Sequence, residues 1–180
     1  MNDFKIIFTG PVGSGKTTAI ATLSDEPPVC TNQDATDITK ERKPKTTVAM
    51  DYGTMLLDGK EKIHFYGTPG QERFNFMWDI LTINGLGLIL LLDNTGSDPL
   101  NDMEFFLTSF KDYIGESSVA IGITQTDIAP LLTMERYQQK LKDLGFNCAI
   151  FEVDARNFND MSQLVQALLF TIDPGLEYSA

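Results

Sequence analysis

Apolar residues follow two rhythms along this chain. Six short runs rich in β-branched or aromatic side chains, at 4–8, 47–57, 62–66, 86–92, 119–123 and 149–153, read as strands. Between them the spacing of apolar residues predicts helices over 17–23, after Gln71, and over 99–113, 133–144 and 162–171. In the fourth of these, Tyr137, Leu141 and Leu144 recur at helical spacing and give the segment a core-facing stripe. Strands alternating with helices predict an α/β fold, a three-layer sandwich around a six-stranded, mostly parallel sheet. Asp58-Gly59 between the second and third runs is a hairpin signal, so one strand of that pair runs antiparallel. The polar stretch 24–45, broken by Pro27, Pro28 and Pro44, is expected to hold no regular element.

Length and charge narrow this picture. The 180 residues suit a single domain spanning 1–180, and 42% hydrophobic with 22% charged residues is an ordinary globular balance. A net charge of -11 repels nucleic-acid phosphates and anionic lipid, so the expected partner is a protein surface and no nucleic acid. The run 86–92 is far below the roughly 20 residues that span a bilayer. Neither end carries a lipidation signal, so no membrane anchor is expected. Cys30 and Cys148 have no metal-type spacing and no leader precedes them, which points to a reducing cytoplasm.

The segment Gly10-Pro11-Val12-Gly13-Ser14-Gly15-Lys16-Thr17 fits G-x-x-x-x-G-K-[ST] between a predicted strand and a predicted helix, the context a phosphate-binding loop requires. Its glycines let backbone N–H groups face a phosphate, Lys16 neutralises β- and γ-phosphate oxygens, and the Thr17 hydroxyl ligates Mg²⁺. The phosphate-binding set on this reading is Gly10, Val12, Gly13, Ser14, Gly15, Lys16, Thr17 and Thr18.

Such a loop fits kinases, ATPases and GTPases, and the choice rests on residues further along the chain. Thr124-Gln125-Thr126-Asp127 ends the fifth strand, at the carboxyl edge of the sheet where ligands of open α/β folds collect. The Asp127 carboxylate accepts from the N1–H and 2-amino groups of guanine, a pattern adenine does not offer, and the Gln125 stem packs along a base face. Asp154-Ala155-Arg156, after the sixth strand, offers a backbone N–H to the guanine O6. The expected base-binding residues are therefore Thr124, Gln125, Asp127, Ala155 and Arg156.

These segments, with Thr46-Thr47 and Gly67-Thr68-Pro69-Gly70-Gln71-Glu72 between them, resemble the five signature segments of Ras-like small GTPases, and most closely their bacterial MglA-like, roadblock-associated branch. The resemblance implies a GTP/GDP switch with Mg²⁺. Thr47, with Thr46 as the neighbouring candidate, is then the first-switch threonine that ligates Mg²⁺ and senses the γ-phosphate, so that Thr17 and Thr47 form the metal set. Gly70 senses the γ-phosphate through its N–H, and Gln71 is the catalytic residue that orients the attacking water. A roadblock-type or other switch-binding regulatory protein is the implied partner. It is expected to meet the edge strand 47–57 and an apolar anchor set of Phe74, Phe76, Met77 and Trp78, with Arg42 as a candidate built-in arginine finger.

Three positions depart from the Ras pattern. Gly67 stands where an Asp supports Mg²⁺, a departure shared with the MglA-like branch. Val12 replaces a glycine beside the catalytic water and predicts slow unaided hydrolysis. Thr124-Gln125 replaces Asn-Lys. Two other classes compete with the switch: a nucleotide-dependent phosphotransferase, and a binding module holding nucleotide permanently. His64 reads as a packed or surface histidine rather than a base.

Overall fold

The computed structural model describes residues 3–30, 50–57, 61–70, 76–116, 118–128 and 132–172. The elements run β1 (Asp3–Thr9), α1 (Lys16–Leu23), β2 (Val29–Cys30), β3 (Asp51–Leu57), β4 (Glu61–Gly67), α2 (Phe76–Thr82) and β5 (Gly87–Asp93). Then come α3 (Pro99–Ser109), α4 (Lys111–Glu116), β6 (Ser118–Thr124), α5 (Met134–Asp143), β7 (Ala149–Glu152) and α6 (Phe158–Ile172). One sheet contains all the described strands in the order β2-β3-β4-β1-β5-β6-β7.

Six of these strands are the expected ones, parallel except for β3, which runs antiparallel to β4 with Asp51 opposite Gly67 and Leu57 opposite Glu61. The Asp58-Gly59 turn itself lies outside the described residues. Two expectations are corrected at this edge. The stretch 24–45 does contain a regular piece, the two-residue β2, which pairs antiparallel with Tyr52 and Asp51. The start of β3 is therefore covered rather than free.

Alternation along the strands sorts side chains into two cores. Ile6 and Phe8 of β1, with Ile89 and Leu91 of β5, face α1 and α6, where Ile20, Leu23, Leu164 and Leu168 close the layer. Ile7 with Leu88, Leu90 and Leu92 faces the other way, against Trp78, Met103, Phe106 and Tyr137 of the second helical layer. Covered on both faces, β5 reads as an unbroken apolar run, as a central parallel strand should. Each such aliphatic side chain, fully withdrawn from water, contributes about 1.5–3 kcal/mol before entropy is counted.

The predicted helix over 99–113 is two helices. Asp98 caps α3, its carboxylate accepting from the Asn101 N–H at 3.1 Å, with Pro99 opening the first turn. Helix α3 ends with Phe110 as its cap residue, whose ring stacks on Trp78 with centroids 4.9 Å apart and planes at 24°. Helix α6 begins before residue 162 because Asn157 caps it, its side-chain oxygen accepting from the Asn159 N–H at 2.9 Å. Among the described residues no helix is long and apolar enough to cross a membrane.

Candidate functional site

The loop between β1 and α1 has the backbone of a phosphate cradle. Gly10, Gly13 and Gly15 hold φ values of +138°, +85° and +95°, a left-handed region that side chains disfavour and that turns successive N–H groups toward one concavity. Lys16 folds back over this loop, its Nζ donating to the carbonyls of Gly10 at 2.8 Å and Pro11 at 2.7 Å. Burial pulls its pKa from the usual lysine value to about 8, while the Asp51 carboxylate acts to raise it. Ser14 is buried, whereas Val12 projects its side chain outward, 66% exposed, at the open side of the cradle.

The segment after β4 leans on the same loop. Thr68 donates its N–H to the Phe8 carbonyl at 2.8 Å, and its hydroxyl shares a 2.8 Å hydrogen bond with that of Thr9. Gly70 then lies so close to the cradle that a Cβ on it would stand 2.7 Å from the Val12 nitrogen. Only glycine fits there. Gln71, Thr46, Thr47 and Arg42 lie outside the described residues, as does Phe74.

Asp51 is the functional residue that sequence reading missed. Its carboxylate Oδ2 accepts from the Thr17 hydroxyl at 2.5 Å. A Cβ placed on Gly67 would stand 3.1 Å from the Asp51 Cβ and 3.3 Å from its Oδ2, so Asp51 reaches from the paired strand into the space that an Asp at position 67 would use. The missing acid is replaced in space. A hydroxyl whose proton is taken by a carboxylate keeps its lone pairs for a hard cation, so the donor set fits Mg²⁺ bound largely by phosphates and hydroxyls. Among the described residues no group of three His, Cys, Asp or Glu forms a metal cluster. The signal was available only through the β3–β4 register.

Next to the cradle is a cavity of about 240 Å³ lined by Gly13, Gly15, Thr18, Thr124, Gln125, Asp127, Ile128, Asp154, Ala155 and Arg156. It unites every residue assigned to the base with three from the phosphate loop. Thr18 faces this cavity. Thr124 serves mainly as a strut, its buried hydroxyl placed 3.1 Å from both the Ser14 and Leu92 carbonyls. Gln125, in a left-handed conformation at φ +60°, donates its side-chain N–H to the Gly13 carbonyl at 3.1 Å. The Thr-Gln pair thus ties the base loop to the phosphate loop without a cation. Asp127 is exposed at the mouth of the cavity.

The turn after β7 closes the far wall. Ala155 is buried, its carbonyl accepts from the Thr22 hydroxyl at 2.8 Å, and its Cβ lies 3.0 Å from where a Cβ on Gly15 would stand. The Arg156 guanidinium pairs with Asp154, one nitrogen reaching Oδ2 at 2.7 Å, and this pair holds the Asp154 carboxyl down at about 2. His64 takes no part, since its ring meets the Tyr52 hydroxyl at 2.8 Å and Asp3 at 3.8 Å.

Trp78 is corrected as an interface anchor. It is 3% exposed, and its ring N–H donates to the Pro69 carbonyl at 3.2 Å. Phe76, by contrast, is 57% exposed on the same helix.

No protein-family model matches the chain. It is 32% identical over 138 residues to the uncharacterised protein MJ1339 of Methanocaldococcus jannaschii, covering 76% of this chain and 79% of that one. It is 24% identical over 165 residues to the Ras-related protein Rab-1D of Dictyostelium discoideum, covering 89% of this chain and 74% of that one. Over 133 residues it is 24% identical to human Ras-related protein Rab-3A, where the match covers 71% of this chain and 60% of the relative. With the cradle, the base-side cavity and the β3–β4 inversion in the same chain order, these similarities place the chain in the family of MJ1339, within the Ras-like small GTPase superfamily.

Proposed function

We propose that this protein is a GTP-binding switch that hydrolyses GTP slowly and signals by binding a protein partner in its GTP state. The observation that carries this reading is the cavity joining Gly13, Gly15 and Thr18 of the cradle to Gln125, Asp127 and Ala155, a base seat contiguous with a phosphate seat. Asp127 accepts from the two guanine donors and Ala155 offers its backbone N–H to the guanine O6. Lys16 leaves the loop carbonyls for the β- and γ-phosphates, whose charge outweighs two neutral acceptors. Thr17, steadied by Asp51, holds Mg²⁺ together with Thr47. Held there, Mg²⁺ would supply positive charge against the phosphates during transfer.

Gly70, seated against Val12, senses the γ-phosphate by its N–H, and Gln71 orients the attacking water. The outward side chain of Val12 crowds that water, which makes unaided hydrolysis slow. A roadblock-type partner that orders Gln71 supplies the missing acceleration, with Arg42 as the candidate finger.

Base selectivity tests the reading. Asp127→Asn should weaken GTP by the loss of charge-assisted hydrogen bonds, about 1.5–3 kcal/mol, and favour xanthosine triphosphate, as measured by competition binding. Equal affinity of the unaltered protein for ATP and GTP would remove the base-site assignment.

A further inference from the structure

We propose that Asp154 is the positioning residue of the base seat: forked onto Arg156, its carboxylate fixes the 154–156 turn so that the Ala155 N–H alone faces the cavity. This rests on the guanine reading and extends it to a residue which that reading leaves without a role.

The polar groups of the turn are tied down one by one. The Asp154 N–H donates to Asp160 Oδ2 at 2.9 Å, in the first turn of α6. The Asp154 carbonyl accepts from the Asn157 N–H at 2.9 Å, and the Ala155 carbonyl accepts from Thr22 at 2.8 Å. The Arg156 N–H donates to Asp154 Oδ1 at 2.9 Å, and the Arg156 side chain adds Nε to Oδ1 at 2.9 Å and a terminal nitrogen to Oδ2 at 2.7 Å. The Ala155 N–H is the backbone donor left over, with no hydrogen-bond partner among the described residues. A trans peptide sets that N–H opposite the Asp154 carbonyl, so the Asn157 bond that holds the carbonyl also directs the N–H.

A neutral Asn at 154 would keep one acceptor but not the charged fork. The carboxylate accepts from the Arg156 backbone and from its guanidinium together, a planar fork suited to arginine. The pair is exposed, with side chains 71% and 43% accessible, and exposed pairs add little to global stability. Its effect is therefore expected in selectivity rather than in folding.

The test is competition binding of GDP, 6-thio-GDP and IDP to the full chain and to Asp154→Ala, Asp154→Asn and Arg156→Ala. A thiocarbonyl is a poorer acceptor than a carbonyl, so GDP over 6-thio-GDP reads the Ala155 N–H, whereas GDP over IDP reads the 2-amino contact to Asp127. The unaltered protein should prefer GDP to 6-thio-GDP by about tenfold, the worth of one well-placed hydrogen bond. Asp154→Ala should lower that ratio severalfold while leaving the GDP-to-IDP ratio and Tm unchanged. Asp154→Asn and Arg156→Ala, which each keep one acceptor for the Arg156 N–H, should fall between. An unchanged ratio in Asp154→Ala, or no preference for GDP over 6-thio-GDP in the unaltered protein, overturns the proposal. Equal binding of GDP and ADP by the unaltered protein would instead overturn the guanine reading itself.

Discussion

Lys16 is 8% exposed, and burial lowers its pKa to about 8 while the Asp51 charge works against that fall. Phosphates favour the charged form, so nucleotide binding draws a proton onto Lys16 wherever the free protein has lost it. Affinity for GDP should then be flat below about pH 8 and weaken above it, by up to about tenfold per pH unit, until the pKa of the bound state is reached. Titration calorimetry across pH 7 to 10 should show proton uptake only on the alkaline side. Removing the Asp51 charge by Asp51→Asn should move the onset to lower pH and also weaken the Mg²⁺ dependence of binding, because the Thr17 hydroxyl loses its strongest acceptor. A pH profile unmoved by that substitution would deny Asp51 its effect on Lys16, and an unmoved Mg²⁺ dependence would deny its effect through Thr17. The phosphate loop was legible residue by residue, since its motif is contiguous and its glycines declare their own backbone. Asp51 was not, because its meaning depends on which residue of β4 stands beside it.

At the scale of elements, a polar link runs from α2 toward the cradle. The Trp78 ring N–H reaches the Pro69 carbonyl, Gly70 comes directly after, and Gly70 abuts Val12. Trp78→Phe should keep most of the aromatic packing on Phe106 and Phe110 but strand a buried carbonyl, at a cost of about 1–3 kcal/mol. Thermal unfolding should record that loss, and nucleotide titration should show a smaller difference in affinity between GTP analogue and GDP, because Gly70 is no longer held to α2. A variant with lowered Tm but an intact difference would confine Trp78 to packing. The same helix shows where sequence reading runs out. Four apolar residues in five implied that some face outward, yet which ones depended on the second helical layer, and the break at Phe110, beside the Trp78 stack, falls where the sequence has no glycine or proline. The strands, set by alternation and by turns, were the readily legible elements, and the two-residue β2 is too short to leave a pattern.

The whole molecule presents an acidic surface, net -11, with Phe76, Ile80 and Ile83 standing out on and just after α2 at 57%, 62% and 59% exposure. A partner that reads the GTP state through this helix should bind more tightly with a non-hydrolysable GTP analogue than with GDP, and Phe76→Ala should weaken that binding without altering nucleotide affinity. Pull-downs in each nucleotide state measure both, and identical partner sets would favour the permanently bound nucleotide instead. The sheet also bears on how nucleotide is met. Phosphate cradle, base loop and base-side turn hang from the carboxyl ends of β1, β6 and β7, and the first two strands have their interior residues buried from both sides. The conformational entropy of shaping the base pocket is thus surrendered when the chain folds and not when the ligand arrives. Amide hydrogens of Thr124 and Val153, at the roots of these loops, should accordingly exchange as slowly before nucleotide is added as after.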